Sequence, residues 1–173
     1  VTSTEDLMTV DNHTGFSLLS QDSHAHWMEQ AFREAEKAYV KKEIPVGAIV
    51  VLNNQIIGRG YNQREALKDP TAHAEILAIT AAANHLSDWR LKDATLYVTL
   101  EPCPMCAGAI LNARIPKLVF GADDHDHGAC GGATQLCSGK FLNHKVEIIG
   151  GILESKCKSI LDSFFQENRG LKK

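Results

Sequence analysis

No run of about 18 consecutive apolar residues occurs in this 173-residue chain, so no transmembrane helix is expected. Basic residues are missing from the beginning: residues 1–22 hold Glu5, Asp6, Asp11 and Asp22 but neither Lys nor Arg. A secretory signal opens with a positive segment ahead of an apolar one, and none is expected here. Five cysteines, an odd number, speak against a disulfide framework and for a reducing cytoplasm. Internal repeats and an interdomain linker are also lacking, so residues 23–173 read as one domain with a real core. Residues 1–22 are polar, rich in Ser, Thr and Asp and without periodicity, and read as an extension outside the fold. They lack an initiating Met, which fits a processed or artificially joined end. A large positive charge is absent as well. The net charge of −3 at first discourages a nucleic-acid partner. Without the four acids of the extension, however, the remainder carries 18 basic against 17 acidic residues, and Arg169-Gly170-Leu171-Lys172-Lys173 is locally basic. Charge permits an RNA ligand without demanding one.

What the chain does contain is His73-Ala74-Glu75, followed by Pro102-Cys103-Pro104-Met105-Cys106. His73, Cys103 and Cys106 are of the ligand types zinc prefers. Structural zinc sites are usually closed by four protein ligands, whereas catalytic ones keep a position open for water. Three ligands leave that position open, and Glu75 is then a carboxylate free to move protons. This pattern resembles the known signature of zinc deaminases. Pro104 favours the first position of a helix, which makes Cys103 its flank and puts Cys106 one turn on, on the same face. Asp69-Pro70-Thr71 reads as a helix start just before His73. Two helix N-termini would then converge on the metal and favour thiolate at both cysteines. Residues two apart on a helix face different ways, so Glu75 is expected to reach the water from the side. Taken singly, each piece has a plainer reading. The cysteine pair fits a redox couple or half of a closed zinc site, His73 a buried structural histidine, and Glu75 a solvated first-turn acid. Of the other cysteines, Cys157 is placed in the core, and Cys130 and Cys137 are read as free thiols.

Periodicity supplies the frame. From Ser23 a helix is expected with Trp27, Met28, Ala31, Phe32, Ala35, Ala38 and Tyr39 on its apolar face. Residues 46–52 and 55–61 read as strands joined in a hairpin at Asn53-Asn54. A helix over 73–85, a strand over 94–100, a helix over 104–113 and strands over 117–121 and 146–149 follow. This order predicts an α/β fold, a three-layer α/β/α with a five-stranded mixed sheet, mostly parallel beyond the hairpin. Ligands of such sheets lie outside the carboxyl ends of the strands, where the motif falls. In the last helix Leu153, Cys157, Ile160 and Phe164 share a stripe with Leu161 on its edge. Phe164 is expected to pack on the sheet. Phe165 lies farther round, placed to stack on a base if exposed.

Val46-Gly47-Ala48, Asn62, Asp69 to Glu75, Leu96 to Cys103, Phe120 to Asp124, Asn143-His144 and Phe164-Phe165 together closely resemble the bacterial tRNA-specific adenosine deaminases. The likeness runs from about Trp27 to the final helix and is more specific than the zinc motif, which many deaminases share. The resemblance implies a cytidine deaminase-like fold, a homodimer, one Zn2+ per subunit, and hydrolytic conversion of adenosine to inosine at the wobble position of a tRNA anticodon. It implies further that Asn62 contacts the flipped nucleotide, that Asp124 belongs to a loop bordering the RNA, and that Phe164 and Phe165 meet the anticodon loop. Val46, Thr99, Leu100 and Asn143 are carried over as further substrate-binding positions. Where many relatives have Pro-Lys-Gly or Ala-Lys-Thr-Gly after the aspartate, this chain has His125-Asp126-His127-Gly128, and Gly131-Gly132 stands where Gly-Ser is common. The departures bear on RNA contact rather than on chemistry. A solvated loop is preferred here over a metal held by His125 and His127. Two other functions stay open: a deaminase of a free nucleobase or nucleoside such as guanine or cytosine, and a non-catalytic zinc-containing RNA-binding subunit.

Overall fold

In the computed structural model, Asn53 and Asn54 both take positive φ, 50° and 57°, as a two-residue hairpin turn of the I′ kind requires. They fold β1 (Gly47–Leu52) onto β2 (Gln55–Tyr61) in an antiparallel register from Gly47↔Tyr61 to Leu52↔Gln55, interrupted by a bulge at Val50/Val51. The structure describes residues 13–138 and 144–169, with side chains from residue 23 onward. Asn143 and the basic stretch Gly170–Lys173 lie outside the described residues.

The other edge of β1 pairs antiparallel with β3 (Thr95–Leu100) through Ala48↔Val98. Parallel strands then follow: β4 (Lys117–Ala122) beside β3, and β5 (Glu147–Ile149) beside β4. The five-stranded mixed sheet has the order β2-β1-β3-β4-β5. Alternate residues of each strand feed opposite layers, as the two-residue period dictates. Ala48, Val50, Leu96, Val98, Leu118 and Phe120 pack with Ala78 of α3 (Ala74–Leu86) and Ile110 of α4 (Pro104–Asn112). Ile49, Val51, Tyr97 and Val119 pack instead with Met28 and Ala31 of α1 (His13–Val40) and Cys157 of α5 (Glu154–Asn168). This is the expected α/β/α arrangement.

Small residues set the layer spacing. A Cβ on Gly47 would lie 2.2 Å from the Ala31 carbonyl oxygen and 2.3 Å from the Ala35 nitrogen, so α1 crosses β1 at backbone contact. Gly58 and Gly60 do the same for α3, where a Cβ would meet the Ala78 and Ala74 carbonyl oxygens at 2.3 and 2.4 Å.

Three boundaries differ from the sequence reading. The backbone of α1 begins at His13 rather than Ser23, and no proline stands in residues 13–22 to stop it. Helix α3 begins at Ala74, within one residue of the expected 73–85, but Asp69-Pro70-Thr71 does not open it. Asp69 Oδ1 instead accepts from the Thr71 N–H at 2.8 Å and its hydroxyl at 2.7 Å, a local turn that competes with helix initiation. A short helix, α2 (Arg64–Leu67), was not foreseen. Four residues hold too little periodicity to read. Its end is fixed from outside by the buried Glu43 carboxylate, which accepts from the Ala66 and Glu65 N–H groups at 2.7 and 3.2 Å.

Candidate active site

His73 and Cys103 are each the residue immediately before a helix, with extended ψ of 155° and 172°, and neither side chain caps its own helix. Both are therefore free to turn toward each other across the ends of α3 and α4. Pro104 occupies the first turn of α4, where its missing N–H costs nothing. Cys106 follows three residues after Cys103 on the same face. His73 Nδ1 stands 3.7 Å from Cys103 Sγ and 3.6 Å from Cys106 Sγ. A tetrahedral zinc with Zn–S of about 2.3 Å and Zn–N of about 2.0 Å spans an N···S edge of about 3.6 Å. The triplet fits that ion, and among the described residues it forms the group suited to a metal.

The sulfurs divide their proton unequally. A hydrogen bond from Cys106, with a further one from His73, brings Cys103 down to about 4 despite partial burial. Cys106 is pushed up by that same contact, by burial and by the neighbouring Glu75 charge. A divalent cation held here would replace this shared proton and take both as thiolates. Glu75, in the first turn of α3, is 4% exposed, and burial raises its carboxyl to about 7. The acid thus sits beside the ligands without belonging to the triplet.

A cavity of about 690 Å³ opens from His73, Glu75 and Cys103. Val46, Asn62, Leu100, Asp124 and Phe165 line it as well, so five of the eight expected substrate positions share one space with His73, Glu75 and Cys103, while Cys106 is buried behind it. Asn62 is held by its backbone N–H, which donates to the Val46 carbonyl at 3.1 Å. Its Oδ1 is a buried side-chain oxygen with no partner. Phe165 is 47% exposed and Phe164 9%, the contrast the angle count along α5 predicted, but Phe164 meets Tyr39 of α1 edge-on and belongs to neither cluster on the sheet. Phe164 lines a second cavity of about 650 Å³ that shares Ile44, Asn62, Arg64 and Phe165 with the first. Thr99 reaches neither: it is fully buried, and its hydroxyl accepts from the Gly47 N–H at 3.1 Å, tying β3 to β1. Asn143 is outside the described residues.

His125, Asp126 and His127 form an exposed turn on the rim, with the Asp126 and His127 N–H groups donating to Asp124 Oδ1 at 3.1 and 3.0 Å. Sequence reasoning assigned no role to Arg64, Lys158, Asp162 or Glu101, all of which line the cavity. For the first three no local signal exists, because charged residues on short or amphipathic helices read as solvated faces. Glu101 did carry one, an acid at the end of an otherwise apolar strand directly before Pro102-Cys103. Cys130 and Cys137 are thiols as expected but buried, 5% and 2% exposed, with their sulfurs 3.6 Å apart.

A mixed sheet with a His/Cys/Cys triplet at the carboxyl end of β3 and an acid beside it defines a deaminase, and residues 22–169 match the model of the MafB19-like deaminase family. The chain is 48% identical over 147 residues to the tRNA-specific adenosine deaminase of Bacillus subtilis strain 168, covering 85% of this chain and 91% of that one. A solved structure from work on A-to-I editing by tRNA:A34 deaminases at the wobble position superposes with a TM-score of 0.74. It is 43% identical and covers 79% of this chain and 99% of its own. Guanine deaminase from Bacillus subtilis is similar over a shorter span, 60% of this chain and 66% of that one, with 39% identity and a TM-score of 0.56. This chain belongs to the family of tRNA-specific adenosine deaminases.

Proposed function

We propose that this protein is a hydrolase that converts adenosine to inosine at the wobble position of a tRNA anticodon. The observation that carries the substrate assignment is the continuity of the metal-ligand cavity with its neighbour across the exposed Phe165. A free purine needs only a closed pocket around itself. A base presented on a strand needs one cavity for the reacting nucleotide and open space beside it for the rest of the strand, with an aromatic face on which a base can stack.

His73, Cys103 and Cys106 would hold one zinc ion per subunit, and the chemistry zinc supplies with three such ligands is activation of water at neutral pH. Glu75, beside the triplet and within the cavity, takes a proton from the attacking water and passes it to N1 of the adenine. It then carries a second proton to the amino group, which leaves C6 as ammonia. Burial suits Glu75 to this exchange, because a carboxyl raised toward neutrality both accepts and gives up a proton readily. The unpartnered Asn62 Oδ1 would accept from a donor on the flipped nucleotide, with Val46 and Leu100 lining the same cavity. Asp124 holds the loop on the RNA side. The family resemblance carries Thr99, Phe164 and Asn143 as substrate contacts as well; Phe164 would make its contact from the second cavity, whereas Thr99, buried and bonded to the Gly47 N–H, would act only as a support of the site. A homodimer and a cytoplasmic location belong to the same proposal. Five unpaired cysteines support the reducing compartment, and no helix among the described residues is long and apolar enough to cross a membrane.

Inosine mapping at the wobble position of tRNA incubated with the purified zinc-loaded protein tests the reading. Inosine there supports it. Ammonia released from free guanine, cytosine or adenosine with no inosine in tRNA would move the assignment to a small-molecule deaminase. Bound tRNA with no deamination of any substrate would leave only an RNA-binding role. Sedimentation of the same preparation decides the dimer.

A further inference from the structure

Glu101 ends one arm of the site and is gripped by the other. It follows β3 directly, two residues before Cys103, and is 3% exposed. A buried carboxylate is costly unless its oxygens are fully hydrogen-bonded. Here the donors are backbone N–H groups from three separate positions of one loop. Asp124 donates to Oε2 at 2.9 Å, and Cys130 and Gly132 donate to Oε1 at 3.0 and 2.7 Å. The neighbouring backbone closes the same joint: Glu101 N–H donates to Ala122 O at 2.9 Å and Ala129 N–H to Pro102 O at 2.8 Å.

The cradle has no spare room. A Cβ on Gly132 would come within 2.3 Å of the Asp124 carbonyl oxygen and 2.5 Å of Glu101 Oε2, and one on Gly128 within 2.3 Å of the Glu101 carboxyl carbon. Asp124 passes the constraint outward, since its Oδ1 accepts from the Asp126 and His127 N–H groups. The rim turn therefore hangs on Asp124, Asp124 hangs on Glu101, and Glu101 is two residues from Cys103 of the metal-binding triplet.

We propose that Glu101 is a positioning residue for the nucleic-acid substrate. Its carboxylate holds the Asp124–Gly132 loop at a fixed distance from the Cys103 turn, so that the rim met by the RNA and the reacting centre stay in register. This assignment rests on the deaminase reading above and sharpens it. It gives the loop a defined task, binding in the correct place, and leaves the chemistry to Glu75 and the metal ligands.

Glu101→Gln is the direct test. The amide keeps one acceptor oxygen but turns its NH2 group on a backbone N–H, and in either orientation a donor then faces a donor. Gly132→Ala attacks the same joint from the loop side, leaving β3 and the carboxylate intact. Both variants should raise the KM for a tRNA carrying a wobble adenosine by about tenfold or more, with kcat within about threefold of wild type. Zinc per chain should stay at the wild-type level, and tRNA affinity measured by filter binding should fall in parallel with KM. A role confined to holding the metal or the fold would instead lower kcat or zinc content at unchanged KM, and that result overturns the proposal. So does a KM within twofold of wild type. If Glu101→Gln does not fold, Gly132→Ala decides by the same split. A wild-type protein that makes no inosine in tRNA removes the deaminase reading itself, a failure distinct from that of the clamp.

Discussion

Replacing Asn62 with Leu should move stability and catalysis in opposite directions. The residue is 5% exposed, and its backbone is anchored independently of the side chain by the bond from its N–H to Val46 O. Its Oδ1 is buried with no partner. An orphaned buried acceptor costs about 1–3 kcal/mol in the free protein. Leu keeps the branching and number of heavy atoms, removes the orphan, and has the adjoining cavity to expand into. For a chain of this size about 1 kcal/mol corresponds to about 2–4 °C in melting temperature. The Asn62→Leu protein should therefore melt at the wild-type temperature or a few degrees above it. In the complex the balance reverses, because a donor on the flipped nucleotide now meets a methyl group. Leaving that donor unpaired costs about 1–3 kcal/mol, a factor of about 5–150 in kcat/KM. Scanning calorimetry on the zinc-loaded protein and inosine formation at limiting tRNA read the two effects. A melting temperature lowered by several degrees with kcat/KM within twofold would refute the reasoning, since Asn62 would then be a structural residue with a partner in the free protein.

Glu75→Ala should retain zinc at wild-type stoichiometry and lose turnover, as metal analysis beside an inosine assay will show. Phe165→Ala should lower affinity for tRNA by the worth of a stacked base, about 1–3 kcal/mol, with no change in melting temperature, because the ring is 47% exposed. Gly47→Ala should act through the fold alone: its Cβ would be driven against the α1 backbone. A cost of about 1–3 kcal/mol should lower the melting temperature by about 2–12 °C. His24 supplies a pH test. Its Nδ1 lies 2.9 Å from the Tyr97 hydroxyl, and its pKa is lowered by burial and by the positive charge of Lys117, against an opposing effect of Glu147. The neutral imidazole is thus favoured by folding. The stability it contributes is present above the unfolded value of about 6.5 and is lost as pH falls through the lower folded value. His24→Gln should flatten that part of the acid limb in thermal melts from pH 7.5 to 5, and an unchanged limb would exclude His24 as its source.

The parts of this molecule that were legible in the sequence are those written in local pattern. The Asn53-Asn54 hairpin, the apolar runs of β1, β3 and β4, the Pro104 start of α4 and the contrast between Phe164 and Phe165 all follow from periodicity and backbone preference. The misplaced start of α3 shows the limit. Asp69-Pro70-Thr71 satisfies every local rule for an N-terminus, yet the Asp69 side chain is spent on Thr71, and His73 takes the position before the helix. The one carboxylate had two local uses, and the turn with Thr71 took it. Glu101 and Glu43 mark a second limit. Each is a lone acid in sequence and a buried acceptor in the fold, and their donors lie 22–31 residues away. Only the folded chain brings those N–H groups to them.

Topology explains why the reacting centre and the substrate rim can be coupled at all. Strands β3 and β4 are parallel neighbours with Leu100 opposite Ala122, so the segments leaving their carboxyl ends must emerge side by side. From β3 comes Glu101 and then Cys103 of the His/Cys/Cys triplet; from β4 comes Asp124 and the rim. An antiparallel pair would have sent these two segments to opposite ends of the sheet. The crossover that makes the strands parallel is α4 itself, whose first turn carries Cys106. One connection therefore sets three things: the direction of β4, the place of Cys106 in the triplet, and the spacing across which Glu101 reaches the loop. Side-chain chemistry supplies the reaction at this place, but the parallel step from β3 to β4 creates the place.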